Sequence, residues 1–215
     1  MTEPLDIGSL RRDYATRPLS RDDLAAEPVG QFQQWFTAAL DASVLDPNAM
    51  SIATVGDDGQ PSLRTVLLKY FDTQGFVFYT NLESRKAREM ANNSRVALLF
   101  YWAEISRQVR ITGTATRISA AESLRYFLSR PRDSQIGAWV SEQSRVIEGR
   151  QFLEAKFAEL KARFAAGDVP LPAFWGGYRV QAHTVEFWQA RENRLHDRFV
   201  YSQSGTGWTI NRLAP

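Results

Sequence analysis

Apolar residues at Phe32, Trp35, Phe36, Ala39 and Leu40 follow an i, i+3, i+4, i+7, i+8 spacing, which predicts a helix over about residues 31–43 with one buried face. From residue 50 the period shortens. Runs over 50–55, 63–71 and 76–79 are rich in β-branched and aromatic residues, and turn-forming stretches at 56–59 and 72–75 separate them, so an antiparallel meander is expected. Ser84 can cap a helix running to about Asn92, where Asn92, Asn93 and Ser94 stop it. Residues 95–102 and 107–117 read as two more strands, and the short link 103–106 suggests that they pair as a hairpin. Leu124, Phe127 and Leu128 then take helical spacing until Pro131 ends it. A further stripe, Leu153, Phe157, Leu160 and Phe164, marks a structural helix, with Glu159 and Arg163 as an i, i+4 pair. Strands are expected over 178–182, 185–189, 198–202 and 208–213. Strands at both ends with helices interposed argue for an α+β fold built on an antiparallel barrel.

Composition narrows the class without identifying the chemistry. The 215 residues suffice for one large domain or two small ones, and 44% apolar with 23% charged is ordinary for a globular protein. Residues 1–28 are charged and poor in large apolar groups, so a mobile arm ahead of a single 29–215 domain is expected. A net charge of +2, from 26 basic and 24 acidic residues, gives no support for a nucleic-acid partner. The absence of cysteine removes disulfides, thiolate metal sites and thiol catalysis, and makes the cytoplasm the expected compartment. No apolar run approaches the roughly 18 residues of a membrane span. With only His183 and His196, no metal site is expected either.

Three clusters could carry chemistry. Arg64 and Lys69 in the second strand, Thr80 and Asn81 at the end of the third, and Ser84, Arg85 and Lys86 at a helix start combine hydroxyl, amide and cationic groups at one strand-to-helix corner. A phosphate could sit there, although Arg64 and Lys69 on their own would read as a solvated rim. Residues 129–144 are dense in hydrogen-bonding groups yet carry Ile136, Trp139 and Val140, as expected of a segment that lines a site. In 188–199, alternation would place Arg194, His196 and Arg198 on one strand face and Leu195 and Asp197 on the other. The plain alternative is a surface strand balanced by Glu192 and Asp197. The sequence contains no GxGxxG, P-loop or G-x-S-x-G pattern, so any nucleotide-type cofactor would be held by a non-Rossmann fold.

RTVLLK at 64–69, FYTNLESRK at 78–86, RQV at 107–109, YFLSRPRDSQIGAWVSEQS at 126–144, FWGGYRV at 174–180 and RLHDRF at 194–199 occur in the order found in the pyridoxamine 5′-phosphate oxidase family, which this chain closely resembles. The resemblance runs from RRDY at 11–14 to RLAP at 212–215. It implies an FMN-binding split β-barrel with flanking helices, working as a homodimer with flavin at the subunit interface. It implies FMN contacts from Arg64, Thr65, Val66, Leu67, Leu68, Lys69, Tyr79, Thr80, Arg85, Lys86, Gln108, Gln143, Ser144, Trp188 and Arg198. Lys69, Tyr126, Arg130, Ser134, Arg194, Leu195 and His196 are implied on the phosphorylated substrate, Arg11, Arg12, Asp13 and Tyr14 in a segment that covers it, and Arg194 and His196 at the reacting carbon. The implied reaction oxidises pyridoxine 5′-phosphate or pyridoxamine 5′-phosphate to pyridoxal 5′-phosphate, with O2 as the final acceptor. A split-barrel carrier that binds FMN or pyridoxal phosphate without catalysis is the rival reading, and a reductase using another flavin-like cofactor is a third. Departures from the family pattern are Tyr101, Ala190 and Asn211, of which Ala190 matters most because a glycine there could hold a positive φ.

Overall fold

Three strands open the barrel. β1 (Ala49–Val55) pairs with β2 (Pro61–Asp72) from Ala49↔Leu67 to Val55↔Pro61, and β2 pairs with β3 (Gly75–Asn81), with a register shift between Leu68 and Tyr70. The computed structural model describes residues 17–215, and within them the expected meander is present. Asp72 shapes its second turn by accepting the amide hydrogens of Gln74 and Gly75 at 2.8 and 3.1 Å. Gly75 has φ 134°, and a Cβ there would lie 2.1 Å from the Val180 carbonyl oxygen, so only glycine lets β3 come this close to its neighbour.

The chain divides into two compact units, one comprising Asn48–Phe100 and Ile111–Thr184, the other the described residues up to Pro47 with Tyr101–Arg110 and Val185–Pro215. In the first, the barrel unit, lie the larger parts of β4 (Arg95–Trp102), β5 (Arg107–Arg117) and β6 (Trp175–Gln189), strands that extend the sheet in the order β3-β2-β1-β4-β5-β6. Pairing of β3 with β6, from Phe76↔Val180 to Asn81↔Trp175, closes the antiparallel barrel. Met50, Ile52, Phe76, Phe78, Leu98, Phe100, Ile111 and Val180 fill it, each at most 2% exposed. The expected break between strands 178–182 and 185–189 is absent, and β6 is continuous. His183 and Thr184 keep it paired, with His183 Nε2 3.2 Å from Thr114 Oγ1 and the Thr112 and Thr184 hydroxyls 2.6 Å apart.

Three helices of this unit follow the sequence signals, and a fourth lies within 129–144, where the sequence pattern predicts no helix. α2 (Arg85–Asn92) begins after Ser84. α3 (Ala120–Ser129) starts with a capping box, in which Ser119 Oγ accepts the Glu122 amide hydrogen and Glu122 accepts that of Ser119, both at 3.1 Å. Pro131 separates it from α4 (Arg132–Val140), and α5 (Arg150–Arg163) follows. Phe127, Ile136, Val140, Leu160, Phe164, Val169 and Trp175 form a second buried cluster, which pins the 129–144 segment to the barrel. At roughly 1.5–3 kcal/mol per buried large side chain, this cluster outweighs the solvent-exposed ion pair Arg150–Glu154 that α5 makes at 2.7 Å.

The other unit, the terminal unit, carries α1 (Pro28–Asp41), whose start at a proline lies ahead of the expected residue 31 because proline suits the first helical turn. Phe32, Trp35 and Phe36 pack from this helix on Trp102 and Phe187, with Trp35 and Phe187 edge to face at 5.2 Å. β7 (Asp197–Ser204) and β8 (Gly207–Arg212) form a closing hairpin from Phe199↔Arg212 to Ser204↔Gly207. A 3-10 turn at Arg21–Asp23 precedes α1, and Leu19 donates its amide hydrogen to Asp197 at 3.0 Å.

Candidate active site

A cavity of about 830 Å3 opens in the barrel unit, within the usual size of ligand sites. At one end, α2 aims its first turn at the ends of β2 and β3, and three cations converge on the wall. Lys86 Nζ is buried and donates to Gln143 Oε1, Thr80 Oγ1 and Ser84 Oγ at 2.8, 3.0 and 3.2 Å. Burial first, and then the nearby Arg64 charge, lower its pKa to about 8, with Glu89 opposing them. Arg64 Nη1 and Nη2 donate to Thr54 Oγ1 and Ser62 Oγ, each at 2.5 Å, and Arg85 Nε donates to Glu89 Oε1 at 2.7 Å. Ser144, at φ 75°, accepts the Arg85 amide hydrogen on Oγ at 3.2 Å. The 141–144 segment, far away in sequence, is thereby fastened to the start of α2.

A different set of polar groups enters the same cavity from α3 and α4. Tyr79, Tyr126 and Trp175 form a parallel aromatic wall, with Tyr79 and Tyr126 centroids 3.9 Å apart and Tyr79 and Trp175 5.3 Å apart. The Arg130 guanidinium lies 4.9 Å above the Trp175 ring. Its Nη1 is buried and, among the described residues, has no hydrogen-bond partner. Burial lowers the Arg130 pKa, partly countered by Tyr126. An unmatched donor on a half-buried cation is costly in a structure that pairs nearly all its buried polar groups, and it suits an anionic ligand. Ser134 and Lys69 line the same cavity.

Most candidates in the barrel unit therefore come together: Arg64, Thr65, Val66, Leu67, Lys69, Tyr79, Thr80, Arg85, Lys86, Tyr126, Arg130, Ser134, Gln143 and Ser144 all line this cavity. Leu68 does not; it is 4% exposed and packs in the barrel core. Gln108, Trp188, Arg194, Leu195, His196 and Arg198 belong to the terminal unit. Arg11, Arg12, Asp13 and Tyr14 lie outside the described residues, as does most of the expected arm. Sequence reasoning passed over Ser62, Glu89 and Trp175. Glu89 could have been found from its i, i+4 spacing to Arg85 on a helix that starts with cations.

One expectation in the terminal unit is overturned. Arg194, His196 and Arg198 do not alternate along a strand, because Asn193 and Arg194 both take left-handed backbone conformations, φ 55° and 63°, in a 3-10 turn, and β7 begins only at Asp197. His196 instead packs its ring 4.7 Å from that of Trp188 and accepts the Arg191 amide hydrogen on Nδ1 at 3.1 Å. That bond assigns the neutral ring's hydrogen to Nε2. Burial and the adjacent Arg194 charge lower its pKa, which favours the same neutral form. Arg198 Nε donates to Glu186 Oε1 at 2.8 Å, and Asp197 is taken by Arg212 at 2.7 Å. Ala190 is buried and donates its amide hydrogen to the Ser106 carbonyl at 3.0 Å; it is not among the positive-φ residues, so alanine is accommodated.

Comparison with known proteins decides what this arrangement belongs to. Residues 36–164 match the family model described as pyridoxamine 5′-phosphate oxidase, and residues 175–215 match that of the pyridoxine 5′-phosphate oxidase C-terminal dimerisation region. The chain belongs to the pyridoxamine 5′-phosphate oxidase family. Among its relatives, the pyridoxine/pyridoxamine 5′-phosphate oxidase of Rippkaea orientalis is 58% identical over 98% of this chain and 100% of its own. The protein of the same name from Edwardsiella ictaluri is 56% identical over 98% and 97%. PhzG from Burkholderia lata 383, solved in complex with tetrahydrophenazine-1-carboxylic acid, superposes with a TM-score of 0.88 at 32% identity, covering 94% of this chain and 100% of that one. Against this family background the cavity fits FMN on its own chemistry: a buried lysine, two arginines, hydroxyls and a helix start suit a phosphate, beside an aromatic wall.

Proposed function

We infer that this chain is an FMN-dependent oxidase that converts pyridoxine 5′-phosphate or pyridoxamine 5′-phosphate to pyridoxal 5′-phosphate. The carrying observation is one cavity with two separate anion-binding groups, Arg64, Arg85 and Lys86 at the start of α2 and Arg130 with Ser134 and Tyr126 at the α3–α4 junction. Two phosphates call for two such groups, one for the cofactor and one for the substrate ester, and Lys69 serves both. FMN would supply the hydride acceptor for the 4′ carbon, with O2 as the final oxidant leaving hydrogen peroxide, the 4′-hydroxyl proton passing to solvent, and the amine substrate releasing ammonia on hydrolysis of its imine.

The protein's own groups bind and orient. Arg130 supplies its unmatched Nη1 to the substrate phosphate, and the aromatic wall excludes water beside it. Thr65, Val66, Leu67, Tyr79, Thr80, Gln143, Ser144, Gln108, Trp188 and Arg198 are assigned to FMN, and Leu195, Arg194 and His196 to the substrate. His196 carries its hydrogen on Nε2 and is assigned to orienting the oxygen or nitrogen on the 4′ carbon, with the positive charge of Arg194 nearby. The Arg11–Tyr14 quartet is assigned to covering the bound substrate. The chain works as a homodimer, with the flavin placed at the subunit interface.

The test is spectroscopic. Purified protein is expected to be yellow with about one FMN per chain, to sediment near twice 24.4 kDa, and to bleach when pyridoxine 5′-phosphate is added without oxygen. A protein that takes up FMN yet never bleaches would favour the carrier.

A further inference from the structure

Glu89 has no place in the ligand assignments above, yet it lies directly beneath the cations of the phosphate-binding corner. Its side chain is 7% exposed, and its oxygens collect donors from three elements. Oε2 accepts from Thr54 on β1 at 2.5 Å and from Ser62 and Arg64 on β2 at 2.6 and 3.4 Å, while Oε1 accepts from Arg85, one turn earlier on α2, at 2.7 Å. The Thr54 hydroxyl donates to Glu89 and so accepts from Arg64, which fixes the direction of both bonds. A carboxylate with two oxygens can serve all these donors at once; no neutral side chain of the same size can.

We infer that Glu89 is a positioning residue that holds Arg64 and Arg85 in place for the cofactor's phosphate. Unheld arginines keep many rotamers, and a ligand that must order them binds more weakly. Charge alone makes the opposite demand, since a carboxylate near a phosphate dianion repels it. Here the repulsion acts across two guanidinium groups that contact Glu89 directly, with Lys86 as a third cation, so the local charge remains positive and the ordering effect prevails. The depressed Glu89 pKa, about 2, agrees: burial opposes ionisation, but hydrogen bonds from Ser62, Thr54 and Arg85 and the Arg64 charge outweigh it. The inference rests on reading this corner as the FMN phosphate site.

The test compares FMN with riboflavin, which lacks the phosphate. Full-length protein stripped of flavin is titrated with each, following flavin fluorescence, for the parent, Glu89→Gln and Glu89→Ala. Glu89→Gln keeps the shape but offers one accepting oxygen in place of two, so it folds while releasing at least one arginine. FMN affinity is expected to fall about tenfold in Glu89→Gln and further in Glu89→Ala, with riboflavin affinity unchanged. Equal or tighter FMN binding by Glu89→Gln, or equal losses for both flavins, would overturn the positioning role. A parent that binds riboflavin as tightly as FMN would instead overturn the phosphate reading, and the inference with it.

Discussion

Lys86 Nζ and Gln143 Oε1 lie 2.8 Å apart, joining the first turn of α2 to a segment that follows α4. The bond is made by a buried ammonium to an exposed glutamine, so it ties Ser141, Gln143 and Ser144 to the wall of the cavity. Two of the candidates for flavin contact thereby depend on a third.

The same lysine sets a pH dependence. Burial and Arg64 lower its pKa to about 8, and a bound phosphate would favour the charged form, so binding takes up a proton once the free protein has lost it. FMN affinity is expected to fall as pH rises from about 7 through about 8. Fluorescence titrations across that range check it. Lys86→Met should bind FMN more weakly and lose the slope; a parent with no slope would mean that Lys86 does not meet the phosphate.

Arg130 tests the other end of the cavity. Its Nη1 is buried without a partner among the described residues, so Arg130→Ala removes the donor proposed for the substrate phosphate. A charge-assisted bond of about 1.5–3 kcal/mol corresponds to roughly a 10- to 150-fold rise in KM for the phosphorylated substrate, with kcat little changed. FMN content is expected to stay at the parental level. Loss of FMN in this variant, with KM unmoved, would move Arg130 from the substrate to the cofactor.

Much of this was legible in the chain because the local signals agreed. Ser119 with Glu122 announced α3, Pro131 ended it, and the meander's turns carried Asp72 and Gly75. The cavity itself was legible only as separate blocks, since hydrogen bonds such as Lys86 to Gln143 link residues whose sequence spacing holds no information about distance. Alternation failed at 194–198 because it presumes extended backbone, and two left-handed residues in succession cancelled that premise. Glu89 was hidden for a different reason: a glutamate on a short helix reads as solvated until the arginines above it are seen.

Acid stability provides an independent check on Glu89. Its folded-state pKa, about 2, lies below the ordinary 4.5, so ionised Glu89 contributes stability that is complete above the ordinary value and is lost as pH falls through the folded one. The parent should therefore lose denaturant resistance between these two values more steeply than Glu89→Gln, which has no proton to take up there. Parallel curves for the two proteins would show that the carboxylate is not held as the hydrogen bonds indicate.

Arg194 and His196 do not share a strand face, so their action cannot rest on alternation; it rests on the turn at Asn193–Arg194 and on the Arg191 amide that fixes the His196 ring. With Nδ1 accepting, neutral His196 offers a hydrogen on Nε2. Protonation would abolish the Nδ1 bond and with it this hold on the ring. Burial and Arg194 lower the His196 pKa from 6.5, so the rate at saturating substrate is expected to hold through neutral pH and to fall only below the ordinary histidine range. Arg194→Ala and His196→Ala should each slow anaerobic flavin bleaching by pyridoxine 5′-phosphate by about 10- to 1000-fold at saturating substrate, while keeping FMN. His196→Asn, whose amide can still donate a hydrogen bond, should fall between alanine and the parent and lose the acid limb of the profile. If both alanine variants bleach at the parental rate, these residues do not act at the reacting carbon, and the oxidation is governed by how the cavity positions the substrate phosphate alone.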